Sequence, residues 1–266
     1  ILAYDHIITI AEEITFVWRR PKRASSILFF LNRYLGLLGN AATVAVSLAP
    51  LSPKVCASLS RVHQLSLIEN EIVMCVLLTL RTVALYGRDK RIIAFMLAMN
   101  MCLVAVSTWS LIGQRSYLAT DVPGCYMGID ARTAIHFAAA WEALLVFDSL
   151  VFLMTLRKTL KPYLRSGPLS PGQKLNIMAL IFRDGAMYYA AMVLANLTNI
   201  LSFYVNPDRR GFQPLMRGGL STFASCISIT FLSRLMLNLY ETADGGVFFV
   251  RVSQDAPRLS LGVAHG

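Results

Sequence analysis

Glu69, Asn70 and Glu71 stand side by side in a stretch otherwise rich in Val, Leu, Ile and Met, with His63 and Gln64 before them and Arg81 after. A second apolar stretch carries Glu142 and Asp148. Carboxylates in apolar surroundings can hold a cation, exchange a proton or accept hydrogen bonds. In hydrocarbon a charged side chain costs about 2.5–3.5 kcal/mol, so it turns toward a helix-bundle interior or a water-filled cavity. Two explanations stay open for Glu69, Asn70, Glu71 and Asp148. They are interhelical hydrogen-bond partners, or they form a polar site for a ligand or proton. At 3.6 residues per turn, Glu69 and Glu71 point ~200° apart and cannot both enter one small site. Asn70, Met74, Leu77 and Arg81 share a face with His63.

Other chemistries are poorly served. The histidines (His6, His63, His136, His265) are scattered and no CxxC pair occurs, so no metal site is expected. No GxSxG, HExxH, phosphate-binding loop or potassium-channel filter motif is present. The segment 218–237 has no lysine for a retinal Schiff base. No catalytic residue and no cofactor are assigned, and the chain is not expected to be an enzyme. Cys75, Cys102 and Cys226 fall inside apolar runs and read as buried small residues. Cys56 falls at the start of the apolar run 59–86 and Cys125 in the loop after the run 92–112, both on the side expected to be oxidising. They are either a disulfide or two unrelated thiols.

The elements that carry these residues are membrane helices. Of the 266 residues, 56% are hydrophobic and 15% charged, against roughly 25% charged in soluble domains. The net charge of +10 sits in short clusters between apolar runs, a pattern of membrane-protein loops rather than of nucleic-acid binding. Runs at 27–49, 59–86, 92–112, 134–156, 185–205 and 218–237 are each about long enough to cross a bilayer. Residues 1–18 read as the tail of a further helix bearing Asp5, Glu12 and Glu13. The expected fold is all-α, a polytopic seven-helix bundle whose first helix is truncated in this chain. The bundle covers 1–240, and 241–266 is read as a disordered cytoplasmic tail.

Pro and Gly punctuate the connections, and no internal repeat points to an inverted-repeat transporter. Loops 18–23, 87–91 and 157–174 hold most of the loop Lys and Arg, including Arg19, Arg20, Lys22, Arg88, Arg157 and Lys174. The opposite loops hold Lys54, Arg115, Arg132, Arg209 and Arg210. The richer side is expected to be cytoplasmic, in a plasma or secretory-pathway membrane. Arg33 and Arg234 read as snorkelling near cytoplasmic ends. Arg183 and Asp184 read as a headgroup contact and a helix-start acid.

Several strings resemble one family. YDHIITIAEEITFVWRR and ILFFLNRYL resemble the signature of fungal multi-pass membrane proteins of the domain-of-unknown-function 6533 family, here at Tyr4, Asp5, Glu13, Trp18, Arg19, Asn32, Arg33 and Tyr34. LRTVALYGR, PGC, FDSLVFLMTL, FRDGAMYY and LNLYE extend the likeness along the chain, with Asp148 standing where glutamate is expected. The resemblance implies seven helices and a fungal source, and no activity.

Two functions are weighed. A receptor-like seven-helix protein fits the helix number, the orientation and a Cys56–Cys125 bridge placed as in G-protein-coupled receptors. It lacks an Asp-Arg-Tyr box and an NPxxY motif. A transporter or channel would use Glu69, Glu71 and Asp148 as a polar path. The expected partners are the lipid bilayer and a small ligand, with no nucleic acid; the sequence fixes no oligomeric state.

Overall fold

The computed structural model describes residues 1–19, 24–49, 51–114, 116–118, 125, 127–164, 185–204 and 219–255. The described residues are helical apart from one short hairpin. Helix α1 is Leu2–Glu13 and runs on through a π turn, Ile14–Trp18. Helix α2 spans Ala24–Leu48 and contains a π segment, Leu31–Leu35. Then follow α3 (Pro53–Leu85), α4 (Lys90–Ser110), strands β1 (Ser116–Leu118) and β2 (Met127–Ile129), α5 (Ala131–Leu164), α6 (Ala186–Tyr204) and α7 (Ser221–Asp255). The hairpin is antiparallel, with Tyr117 opposite Gly128. Strands of three residues are too short to leave a period in the sequence. The last helix continues past Glu241, where the sequence places the start of a tail. Residues 256–266, Arg183, Asp184, Arg209, Arg210 and most of the basic loop 157–174 lie outside the described residues.

Helix α1 is apolar outside and polar inside. Its buried residues are Leu2, Asp5, Thr9 and Glu13, while Ile1, Tyr4, Ile7, Ile8 and Ile10 are exposed. A water-soluble helix does the reverse. The same inversion recurs along α3, where Val62, Leu65, Ile72, Val76 and Leu80 are exposed and Asn70 is buried. Lipid as the surrounding solvent explains both helices.

Five helical stretches among the described residues are long and apolar enough to cross a membrane: Ala24–Leu48, Lys90–Ser110, Arg132–Lys161, Ala186–Tyr204 and Ser221–Glu241. The sequence predicts six complete spans. The difference is α3, whose 33 residues form one unbroken helix but carry Arg61, His63, Gln64, Glu69, Asn70, Glu71 and Arg81.

The core joins α3, α5, α6 and α7 through Met74, Leu77, Leu78, Phe147, Val151, Tyr189, Met192, Ile229, Leu232 and Leu235. Asn70, Met74 and Leu77 share the inward face of α3, as their spacing predicts. Helices α2 and α7 approach closely at Gly36, where a Cβ would lie 2.6 Å from Ile229 Cδ1. Helix α4 is peripheral. Only Met96, Leu103 and Ser110 of it are buried, seven residues apart along one narrow seam. Cys102, expected to be buried, is therefore exposed on the lipid side of α4, while Cys75 is buried and Cys226 half-buried, all three as free thiols.

Candidate functional site

Two polar regions stand out, one built by α1, α2 and α7 and one by α3 with the outer ends of its neighbours. In the first, Asp5, Thr9 and Glu13 follow one another at four-residue intervals and so share a face of α1. Arg33 enters between them from the π segment of α2. Its Nε lies 2.8 Å from Glu13 Oε2 and its Nη1 3.9 Å from Asp5 Oδ2. Its Nη2 donates to Thr9 Oγ1 at 2.6 Å and to the His6 carbonyl at 3.2 Å. Arg234 Nε of α7 meets Asp5 Oδ1 at 2.6 Å. Two carboxylates thus face two guanidinium groups, and the cluster is formally neutral.

Glu13 Oε1 is taken as well, while Asp5 Oδ2 has only the 3.9 Å contact with Arg33 and no hydrogen bond. Trp18 Nε1 and the Tyr34 hydroxyl each donate to Glu13 Oε1 at 2.9 Å. In an α-helix, five residues turn the chain ~500°, which would leave Trp18 ~140° away from Glu13. The wider π turn brings the two onto one side. Asn32, next to Arg33 in the second π segment, donates to Ser233 Oγ of α7 at 3.5 Å. Arg33 is 0% exposed, so it does not snorkel as its position in the sequence predicts. Acids within reach outweigh a distant headgroup. Arg234 is half-exposed, yet it too is held by an acid, Asp5. Of the eight residues that carry the family resemblance, Asp5, Glu13, Trp18, Asn32, Arg33 and Tyr34 fall in this region. Tyr4 and Arg19 point outward.

The second region is a cavity of about 530 Å³. Its upper part is walled by Ser60, His63 and Gln64 of α3, Ile129 of β2, Phe137 and Trp141 of α5, Phe203 of α6 and Thr222 of α7. Its lower part is a cleft between α3 and α4 that ends at Leu80, short of Arg81. Cys56 and Cys125 form the disulfide that roofs this end, with Cα atoms 5.5 Å apart. The Cys125 amide also donates to the Ser47 carbonyl at 3.3 Å, which ties the loop to α2. His63 is clamped by Thr43 Oγ1 at 2.7 Å and Thr222 Oγ1 at 3.3 Å. Asn100 Nδ2 donates to Thr79 Oγ1 at 2.9 Å, joining α4 to α3.

The candidate polar residues separate. Glu71 lines the cavity, and its Oε1 is buried without a hydrogen-bond partner. Glu69 is exposed among Leu65, Ile72 and Val76 on the outer face of α3. Asn70 is buried in the opposite wall of the same helix. Asp148 is buried but does not line the cavity. It accepts a 2.7 Å hydrogen bond from Asn196 Nδ2 of α6 and lies near enough to Glu71 for the two carboxylates to interact. Glu142 is on the outer surface, where the Tyr204 hydroxyl donates to it. Deeper, Arg81 Nη1 donates to the Tyr189 hydroxyl at 3.2 Å, with the guanidinium over the Tyr189 ring.

Among the described residues no group of three or more His, Cys, Asp and Glu is placed to hold a metal ion. The ionic cluster of α1, α2 and α7 is not anticipated as a unit from the sequence. Its signal is the four-residue spacing of Asp5, Thr9 and Glu13 together with an arginine inside an apolar run. No curated protein matches the chain. Residues 1–38, which supply α1 and the part of α2 that bears Arg33, match the model of a family of unknown function (DUF6533), so the ionic cluster lies almost wholly within what this multi-pass membrane protein shares with that family.

Proposed function

We propose that the chain is a receptor-like seven-helix membrane protein, without enzymatic activity, that holds a small molecule in the outer half of its bundle. One observation carries this reading. A 530 Å³ cavity, mostly apolar with a few polar groups, runs along the helix that bears Cys56, from Ser60 to Leu80, and ends before Arg81. Binding sites for small molecules are commonly of this size and composition. In this reading loops 18–23, 87–91 and 157–174 and the C-terminus are cytoplasmic, in a plasma or secretory-pathway membrane, and the source is fungal as the resemblance implies.

The competing reading is an ion- or proton-coupled transporter. It draws on Glu71 and Asp148, two mid-membrane carboxylates within reach of each other. Proteoliposomes separate the two. A cysteine at position 107 should react with a membrane-impermeant thiol reagent from the side that reaches position 208. A cysteine at position 90 should react only from the other side. Proton and sodium flux should match that of protein-free vesicles. Gradient-driven flux that Glu71→Gln abolishes would replace the receptor-like reading with the transporter.

A further inference from the structure

The cavity has a direction of entry and a charge preference. Ile72, Val76 and Leu80 of α3 and Leu97 and Val104 of α4 line its lower part, and the same side chains are exposed on the outer surface of the bundle. The cleft is therefore open sideways, where the bilayer lies. Helix α4 buries only Met96, Leu103 and Ser110, and Asn100 joins it to α3 through Thr79.

The upper part holds Glu71, whose Oε1 is buried and unpaired. A buried acceptor left without a partner is costly, more so if charged, and a donor that fits beside it relieves that cost. No Lys or Arg is among the described residues that line the cavity, and His63 is already held by Thr43 and Thr222. Trp141, Phe137 and Phe203 supply aromatic walls, which favour a cation over an anion.

Resting on the receptor-like reading, we propose that the ligand is an amphipathic amine that enters from the bilayer between α3 and α4. Its ammonium donates to Glu71 Oε1, and its apolar body fills the α3–α4 cleft. Charge-assisted hydrogen bonds of this kind are roughly twice as strong as neutral ones.

The test uses the full chain in lipid nanodiscs with tritiated dodecylamine as probe, and empty nanodiscs as the partition control. Saturable binding above the control is expected. Dodecanol should compete at least tenfold more weakly, and dodecanoate should not compete. Glu71→Gln should weaken dodecylamine binding at least tenfold while the melting temperature and the Cys56–Cys125 bridge stay as in the parent. Glu69→Gln, on the outer face of the same helix, should leave binding unchanged. Val76→Trp, which fills the cleft, should slow association. Saturable binding of dodecanol or dodecanoate as tight as that of the amine, or indifference to Glu71→Gln, overturns the amine while leaving a ligand cavity in place. Unchanged association in Val76→Trp overturns lateral entry. Absence of saturable binding by all three probes overturns both the amine and the receptor-like reading.

Discussion

The ionic cluster of α1, α2 and α7 and the cavity beside α3 both hold buried acidic groups, yet treat them differently. In the cluster every carboxylate meets a guanidinium, and Glu13 takes two further hydrogen bonds from Trp18 and Tyr34. In the cavity Glu71 has an oxygen that meets nothing. Satisfied charges fix geometry, because any shift of a helix breaks several bonds in low dielectric at once. An acceptor without a partner fixes nothing and is available to something that is not part of the chain. The first region is suited to holding helices together and the second to binding. Substitutions should therefore act on stability in one and on ligand in the other.

Arg33→Met is the most severe change expected. It leaves Glu13 buried with no guanidinium beside it and Asp5 held by Arg234 alone, and removing one partner of a buried ion pair costs about 3–5 kcal/mol. Purified protein should lose its single folded species in size-exclusion chromatography, or melt far below the parent. Glu13→Gln combined with Arg33→Met should recover much of the loss, since Asp5 keeps Arg234 and no charge is then left unpaired. A parent-like melting temperature for Arg33→Met alone would show that the cluster does not hold the helices.

Cys56→Ser comes next. The bridge closes a loop of 69 residues and pins both β2 and the Ser47 end of α2 over the cavity. Loss of a disulfide typically costs about 2–4 kcal/mol. The melting temperature should drop by the same amount in Cys125→Ser and in the double variant, because the two thiols form one bond. Independent, additive losses would argue against a shared bond.

Asp148→Ala should cost about 0.6–2 kcal/mol through the lost bond to Asn196. Asp148→Asn should cost less, since an amide still offers an acceptor to Asn196. A milder loss for alanine than for asparagine would contradict an interhelical hydrogen-bond role.

The same contrast explains what the sequence reveals. Lipid-facing helices are legible because apolar runs of sufficient length admit few other structures, and Cys56 and Cys125 are legible because one lies at a helix start and the other in a loop expected on the same side. The ~200° separation of Glu69 and Glu71 predicts that they part, and they do. Arg33 is different. A sequence shows an arginine near a helix end but not that two acids from another helix reach it, so snorkelling is the natural inference. The π turns that aim Trp18 and Arg33 have no sequence period of their own. The cavity is a gap between elements, set by how narrowly α4 packs, and no residue of α4 announces that. Cys102 is misplaced for the same reason.

Glu69 gives the smallest effect on stability and the sharpest check on the outer face of α3. It lies at the middle of a 33-residue helix, among exposed Leu65, Ile72 and Val76. If that face meets lipid, Glu69 meets lipid in the folded bundle and also in helices that are inserted but apart. Its cost then cancels in the folding equilibrium, and Glu69→Leu should move the stability by no more than about 0.5 kcal/mol. The cost does not cancel in insertion. A segment spanning 53–85, tested alone for insertion into microsomes, should gain about 2.5–3.5 kcal/mol in apparent insertion free energy from the same change. Glu71→Leu should gain similarly in the isolated segment, because an isolated helix cannot distinguish its faces. The two variants then part only in the folded protein, where Glu71 lines the cavity and Glu69 does not. A fall in melting temperature for Glu69→Leu equivalent to more than about 1 kcal/mol would mean that this face is covered in the membrane, by a second copy or by another helix that answers its charge.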